Sequence, residues 1–168
     1  MAWPSVGNIC MDTLLTNFDL KFRGIVTRSR ELISIVKADD LYRRPRPIEN
    51  SMSPFSVGEY VVRSAASVEQ TFGGITTRLW DDPFEWTLPE KLADKVSILT
   101  YLDEVEATRT KGFEYLESDD DLRREIPAPE KLRSIGEILL QTIEIASHYQ
   151  GRAFAIFQML TDQPLPRL

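Results

Sequence analysis

Cysteine and histidine are almost missing from this chain: its 168 residues include one of each, Cys10 and His148. A lone cysteine forms neither an intrachain disulfide nor a zinc knuckle, so apolar burial has to carry the fold. That fits a reducing compartment and gives an expected cytoplasmic location. Positive charge is scarce too, with 20 Lys and Arg against 26 Asp and Glu and a pI near 4.9. Without a broad basic field the chain lacks the electrostatic footing of a non-specific nucleic-acid or anionic-membrane binder, and no nucleic-acid partner is expected. No apolar run approaches the ~20 residues that span a bilayer, and Met1-Ala2-Trp3-Pro4-Ser5 has no basic stretch leading into an apolar one, so no membrane partner and no export are expected. Glycine-rich phosphate loops, serine nucleophile elbows and CxxC pairs are absent as well.

What is present is 42% hydrophobic and 27% charged, which suits a single domain over residues 1–168 with one core. Four segments space their apolar residues by three and four, and prolines gather between them, which predicts four helices of about 22 to 28 residues. The first carries Leu14, Leu15, Phe18, Phe22, Ile25, Leu32, Ile33 and Val36 on one stripe, with Asp12 placed to cap it and an end before Asp39-Asp40. Arg43-Arg44-Pro45-Arg46-Pro47 and the residues up to Pro54 form a loop, because proline lacks the donor and restricts its predecessor. The second helix opens at Ser56-Val57-Gly58-Glu59, a capping box, with Phe55 placed to staple onto Tyr60. It turns Val57, Tyr60, Val61, Ser64, Val68, Phe72 and Ile75 inward, and Gly73-Gly74 predicts thinning or a close contact.

Trp80, Phe84 and Trp86, interleaved with acids, are expected to plug the open end of the core. The third stripe runs Leu92, Val96, Leu99, Leu102, Val105, Phe113 and Leu116, after a preliminary turn at Leu88 to Ala93. Glu117 to Asp121 and Pro127-Ala128-Pro129 form an acidic linker with a turn at Leu122 to Arg124; it lacks the alternating oxygen ligands of a calcium loop. The fourth helix opens on a second box, Ser134-Ile135-Gly136-Glu137, and points Ile135, Ile138, Leu139, Thr142, Ile145, Tyr149, Ala153, Ile156 and Leu160 inward. Residues 56–63 and 134–141 align without a gap, so the second and fourth helices are written to similar templates. This is an all-α pattern.

The order of those two helix starts, Tyr101-Leu102-Asp103-Glu104-Val105-Glu106-Ala107-Thr108-Arg109 in the third helix, and Ser147-His148-Tyr149-Gln150-Gly151-Arg152 near the end of the fourth resemble the DinB/YfiT-like family over nearly the whole chain. The resemblance implies a four-helix bundle of up-down-down-up topology, with a crossover between the second and third helices, and frequent association as a homodimer. It also implies a divalent metal held by three histidines, one on the second helix and two spaced i, i+4 within a longer histidine phrase on the fourth, in a family that includes thiol S-transferases and hydrolase-like enzymes. Registered on Gly151, the family's histidine phrase falls on Gln141, Ile145 and Tyr149. His148 matches only a neighbouring, usually non-ligating position, and the second-helix histidine falls on Arg63. Zinc or nickel needs several neutral imidazoles or anionic donors converging at about 2.0 to 2.3 Å, and this chain supplies one imidazole, so neither a metal nor another cofactor is expected.

Arg63, Gln141, His148 and Tyr149 are therefore the candidate ligand-binding residues. Arg63 and Gln141 stand at equivalent places in the two templates and are expected at equivalent levels near the interior. A buried cation demands a partner, either in a structural cluster with Gln141, Tyr149 and Glu144 or in a pocket that takes a small anionic ligand. His148 reads as a flank residue more than a catalytic base, and Tyr149 as a core tyrosine. The leading expectation is a small-molecule-binding protein without the family's metal. The alternatives are an S-transferase-like or hydrolase-like enzyme with an atypical site, and a structural homodimer.

Overall fold

The computed structural model describes residues 13–46, 54–82 and 92–167. Helix α1 spans Thr13–Ile35, a one-turn α2 spans Ala38–Leu41, α3 spans Val57–Thr77 and α4 spans Lys95–Glu114. A 3-10 helix at Asp119–Arg123 and a hairpin of β1 (Glu125–Pro127) and β2 (Leu132–Ser134) lead into α5, Ile135–Leu160. The four long helices have 23, 21, 20 and 26 residues, two of them shorter than expected. The hairpin pairs Ile126 with Arg133 in antiparallel register. It occupies the stretch that the prolines mark as an irregular linker.

Side chains that satisfy the free backbone donors of the first turn set the start of each of the four long helices. At α3 the box is reciprocal: the Glu59 amide donates to Ser56 Oγ at 3.3 Å and the Ser56 amide to Glu59 Oε2 at 2.8 Å. At α5 only half of the expected box forms. The Glu137 amide donates to Ser134 Oγ at 3.2 Å, while the Glu137 carboxylate turns to Arg133. Asp94 caps α4 through the Ser97 amide at 2.8 Å. Asp12 lies outside the described residues, but α1 has a cap from across the fold. The Asp119 carboxylate accepts from the Leu14 and Leu15 amides at 3.2 and 2.9 Å.

Cross-helix pairs give the direction of every helix. Lys95 Nζ donates to the Ser34 carbonyl, Arg30 bonds Asp103, and Arg109 pairs with Asp19, so α1 and α4 are antiparallel. Tyr101 bonds Glu69, Phe72 meets Phe113, and Arg78 meets Tyr115, so α3 and α4 are parallel. Ser64 meets Ala146 and Thr71 meets Thr142, so α3 and α5 are antiparallel. The bundle is all-α and up-down-down-up. Its core centres on Phe22, Phe72 and Phe113, with ring centroids 5.2, 5.1 and 6.1 Å apart. Gly112 lets α4 approach this cluster, because a Cβ there would overlap the Phe72 ring.

The inward stripe of the second helix is buried at all seven expected positions. Three expectations fail elsewhere. Leu14 is 55% exposed, because the buried stripe of α1 starts one position on at Leu15. Val96 is 72% exposed: α4 begins only after the Asp94 cap, so Leu92 does not share its helical phase. Ile145 is 38% exposed, since the buried ridge of α5 runs Ile138, Thr142, Ala146, Gln150 with Ile145 on its flank.

The glycines supply a paired test. Gly112→Ala forces the Phe72 ring out of its packing and is expected to cost about 1–3 kcal/mol in urea denaturation. Gly151→Ala, at a helical position with open space around it, is expected to stabilise by about 0.5–1 kcal/mol.

Candidate functional site

The seam between α3 and α5 carries the polar chemistry. Ser64 Oγ donates to the Ala146 carbonyl at 2.8 Å, the Thr71 and Thr142 hydroxyls meet at 2.7 Å, and the Tyr60 and Tyr149 rings lie 6.3 Å apart. Because the helices run in opposite directions, equivalent places in their two templates lie at different heights. Arg63 stands at the level of Ala146 to Tyr149, and Gln141 at the level of Thr71. The expectation of one site for Arg63 and Gln141 is thereby corrected, and two separate places take its part.

The first place is an aromatic and cationic cluster at the start of α3. The Arg63 guanidinium lies 4.1 Å from the Phe55 ring centroid and that of Arg44 5.7 Å from it. Phe55 meets Tyr60 edge-on at 5.4 Å, the expected staple. Arg152 donates to the Tyr60 hydroxyl at 3.3 Å. Tyr149 is half-buried against the core, and His148 stands exposed with its ring 5.9 Å from that of Tyr149. Glu144 is exposed. Arg44 also pairs with Glu59. Partial burial pushes the Glu59 pKa up, but the Arg44 guanidinium and the Ser56 amide and hydroxyl outweigh it and hold the carboxyl below its usual range.

The second place is a cleft of about 260 Å³ between α3, α5 and the hairpin. Ser67, Gln70 and Thr71 line one wall, and Gln141, Thr142 and Ile145 the other. Trp80 closes one end: its Nε1 donates to the Pro127 carbonyl at 2.9 Å, and Gln70 Nε2 donates to the Trp80 carbonyl at 3.1 Å. Gly74 makes room for the indole, since a Cβ there would overlap it. Trp80 thus packs where a plug was expected, whereas Phe84 and Trp86 lie outside the described residues. On the hairpin side, Arg133 donates from Nε to Glu137 at 3.0 Å, and its Nη1 donates to Gln141 Oε1.

These residues do not suit the metal that the family resemblance implies. The places matching its histidines carry a guanidinium, an amide, an aliphatic chain and a phenol at Arg63, Gln141, Ile145 and Tyr149. Among the described residues no three His, Cys, Asp or Glu side chains converge. A divalent cation beside the fixed positive charge of Arg63 would be repelled, and Ile145 offers it no donor.

Four buried polar residues are missing from the inward positions that the sequence predicts: Ser29, Thr71, Gln150 and Arg109. Gln150, 3% exposed, donates to the Ile25 carbonyl at 2.6 Å and Ser29 Oγ at 2.8 Å, and accepts from Arg28 at 3.1 Å. It extends the ridge of Thr142 and Ala146 by one turn, which was its only signal. Arg109 is buried between Asp19 and Glu106, with Glu106 at 2.6 Å. Its position three residues after Glu106 and four after the buried Val105 was the clue.

Glu59 generates a pH test. Because its folded pKa lies below that of the unfolded chain, the stabilisation is present above the carboxylate range and lost as pH falls through it. Glu59→Gln is expected to lower stability by about 1 kcal/mol at pH 7. The gap between variant and parent should close below about pH 4, read by urea denaturation across pH.

No protein-family model and no curated protein sequence matches the chain. Among solved structures, the crystal structure of a DinB-like protein, YjoA from Bacillus subtilis, superposes with a TM-score of 0.65 at 23% identity, covering 90% of this chain and 96% of that one. The chain therefore has the fold of a DinB-like protein.

Proposed function

We propose that this chain is a DinB-like protein that binds a small organic molecule in the cleft between α3, α5 and the hairpin, and that it works without the three-histidine metal site. The observation that carries this reading is the wall of fixed hydrogen-bonding side chains around Gln141, Thr71 and Gln70. Gln141 and Ile145, where two of the family's histidines would stand, both line it. Concave sites with a few convergent polar groups and an aromatic wall are where small ligands bind, and about 260 Å³ falls just under the usual range of drug-sized sites. The ligand is accordingly small. No membrane partner enters the reading, since no helix among the described residues is long and apolar enough to cross a bilayer.

The test combines a fragment screen by thermal shift with metal analysis of untagged protein. A binding fragment at ~100 times its Kd stabilises by about 2.7 kcal/mol, a rise of a few degrees in Tm. Ile145→Trp, which fills the cleft from its half-exposed rim, should abolish that rise while leaving helix content unchanged. Zinc, nickel and manganese should leave Tm where it is. Near-stoichiometric metal that is lost on mutating His148 would overturn the proposal in favour of a metalloenzyme. Sedimentation at micromolar concentration reports the association state separately.

A further inference from the structure

The hydrogens and lone pairs around the cleft can be accounted for one by one. Thr142 Oγ1 donates to the Ile138 carbonyl at 2.8 Å. A hydroxyl has one hydrogen, so in the 2.7 Å contact between the threonines Thr71 is the donor and Thr142 the acceptor. Thr71 is left with acceptor capacity on its oxygen. Ser67 gives its hydrogen to the Ser64 carbonyl at 2.8 Å and is likewise left as an acceptor.

The amides are oriented by partners of a single kind. A carbonyl only accepts, so the nitrogen of Gln70 faces the Trp80 carbonyl, and among the described residues its second hydrogen and its Oε1 have no other partner. A guanidinium only donates, so Oε1 of Gln141 faces Arg133 and, among the described residues, the Gln141 NH₂ group is left over. The α3 wall therefore offers mostly acceptors, and the α5 wall opposite it a donor pair.

Charge in the cleft is already balanced. Arg133 is held by Glu137 at 2.9–3.0 Å and by the Gln141 oxygen. The other charged lining residue is an acid, Glu130. An anion entering here would have to displace Glu137 from Arg133 and sit near Glu130. The indole of Trp80, fixed by Pro127 and by the room at Gly74, supplies a flat apolar wall.

We infer that the cleft takes an uncharged planar amide, such as a heterocyclic lactam or cyclic urea, whose N–H donates to the Thr71 hydroxyl oxygen and whose C=O accepts from the Gln141 amide. This deepens the proposed small-molecule site and rests on it. It replaces the small anion expected from the sequence, whose two receiving groups, Arg63 and Gln141, stand at different levels of the bundle.

The experiment is NMR of the ¹⁵N-labelled full chain, following the side-chain amides of Gln70 and Gln141 and the indole N–H of Trp80. Two flat probes of similar size are titrated, neutral 2-pyridone and anionic benzoate. The expected result is that 2-pyridone moves all three signals saturably at millimolar concentration and benzoate binds about tenfold more weakly. Thr71→Val, which keeps the shape and removes the acceptor, should weaken 2-pyridone about tenfold, the effect of one neutral hydrogen bond. Its backbone spectrum serves as the check on folding. Benzoate binding as well as 2-pyridone, or a folded Thr71→Val that binds unchanged, would overturn the assignment of ligand class and leave the cleft as a binding site. Silence of the three signals towards 2-pyridone, while other fragments bind and are lost in Ile145→Trp, would do the same. Silence towards every fragment would overturn both readings.

Discussion

The register of α3 against α5 governs the rest of this molecule. Two hydroxyls cross the seam, Ser64 to the Ala146 carbonyl and Thr71 to Thr142, and all three hydroxyl residues are buried. Sliding one helix by a turn, about 5.4 Å, would part Thr71 from Thr142 and set it against Ile138 or Ala146. Each buried polar group stranded in that way costs about 1–3 kcal/mol. Apolar packing alone tolerates neighbouring registers; a buried pair of facing hydroxyls does not. The register places Gln141 opposite Thr71, brings Tyr149 over Tyr60, and leaves between the helices the gap that Trp80 and the hairpin enclose.

Helix by helix, the chain was open to reading because each segment's local chemistry agrees with its place in the bundle. Ser56 and Glu59 announce the start of α3, and the spacing of Val57, Tyr60, Val61, Ser64, Val68, Phe72 and Ile75 identifies its buried face. What escaped depends on groups far apart in the chain. Asp119 could not be recognised as the cap of α1 from residues 104 and 105 positions away. Pro127-Ala128-Pro129 reads as an irregular linker, yet Pro127 closes β1 and holds the indole of Trp80. Gln150 and Arg109 are polar residues in apolar places, and hydropathy assigns them to the surface. The gapless match between the two helix starts was real as a sequence pattern, but it carried no direction, and the antiparallel seam reversed its meaning for Arg63 and Gln141.

The two ends of the α3–α5 seam have different electrostatic characters. Near the start of α3, guanidinium groups cover aromatic faces: Arg63 and Arg44 on Phe55, Arg152 on Tyr60. Such contacts contribute about 0.5–1 kcal/mol each at exposed sites and keep large rings shielded from water. Towards the hairpin the side chains are amides and hydroxyls, and the one arginine is neutralised by Glu137. Amides and hydroxyls hold their hydrogen-bonding pattern across the whole physiological pH range, whereas imidazoles do not. Recognition at this end is therefore written in geometry more than in charge.

The partners of α1 bear on how the chain acquires this structure. Its first turn is capped by Asp119, its middle is bonded by Gln150, and its charges are met by Asp103 and Arg109. This helix is thus completed by residues made well after it. Helical bundles usually fold fast because their contacts are local in the chain. Here closure of the bundle has to wait for long-range encounters, and until α5 emerges the apolar stripe of α1, from Leu15 through Phe22 to Val36, stays partly uncovered. A chain interrupted before Gln150 would leave part of that stripe facing solvent, a patch open to aggregation or chaperone capture during synthesis.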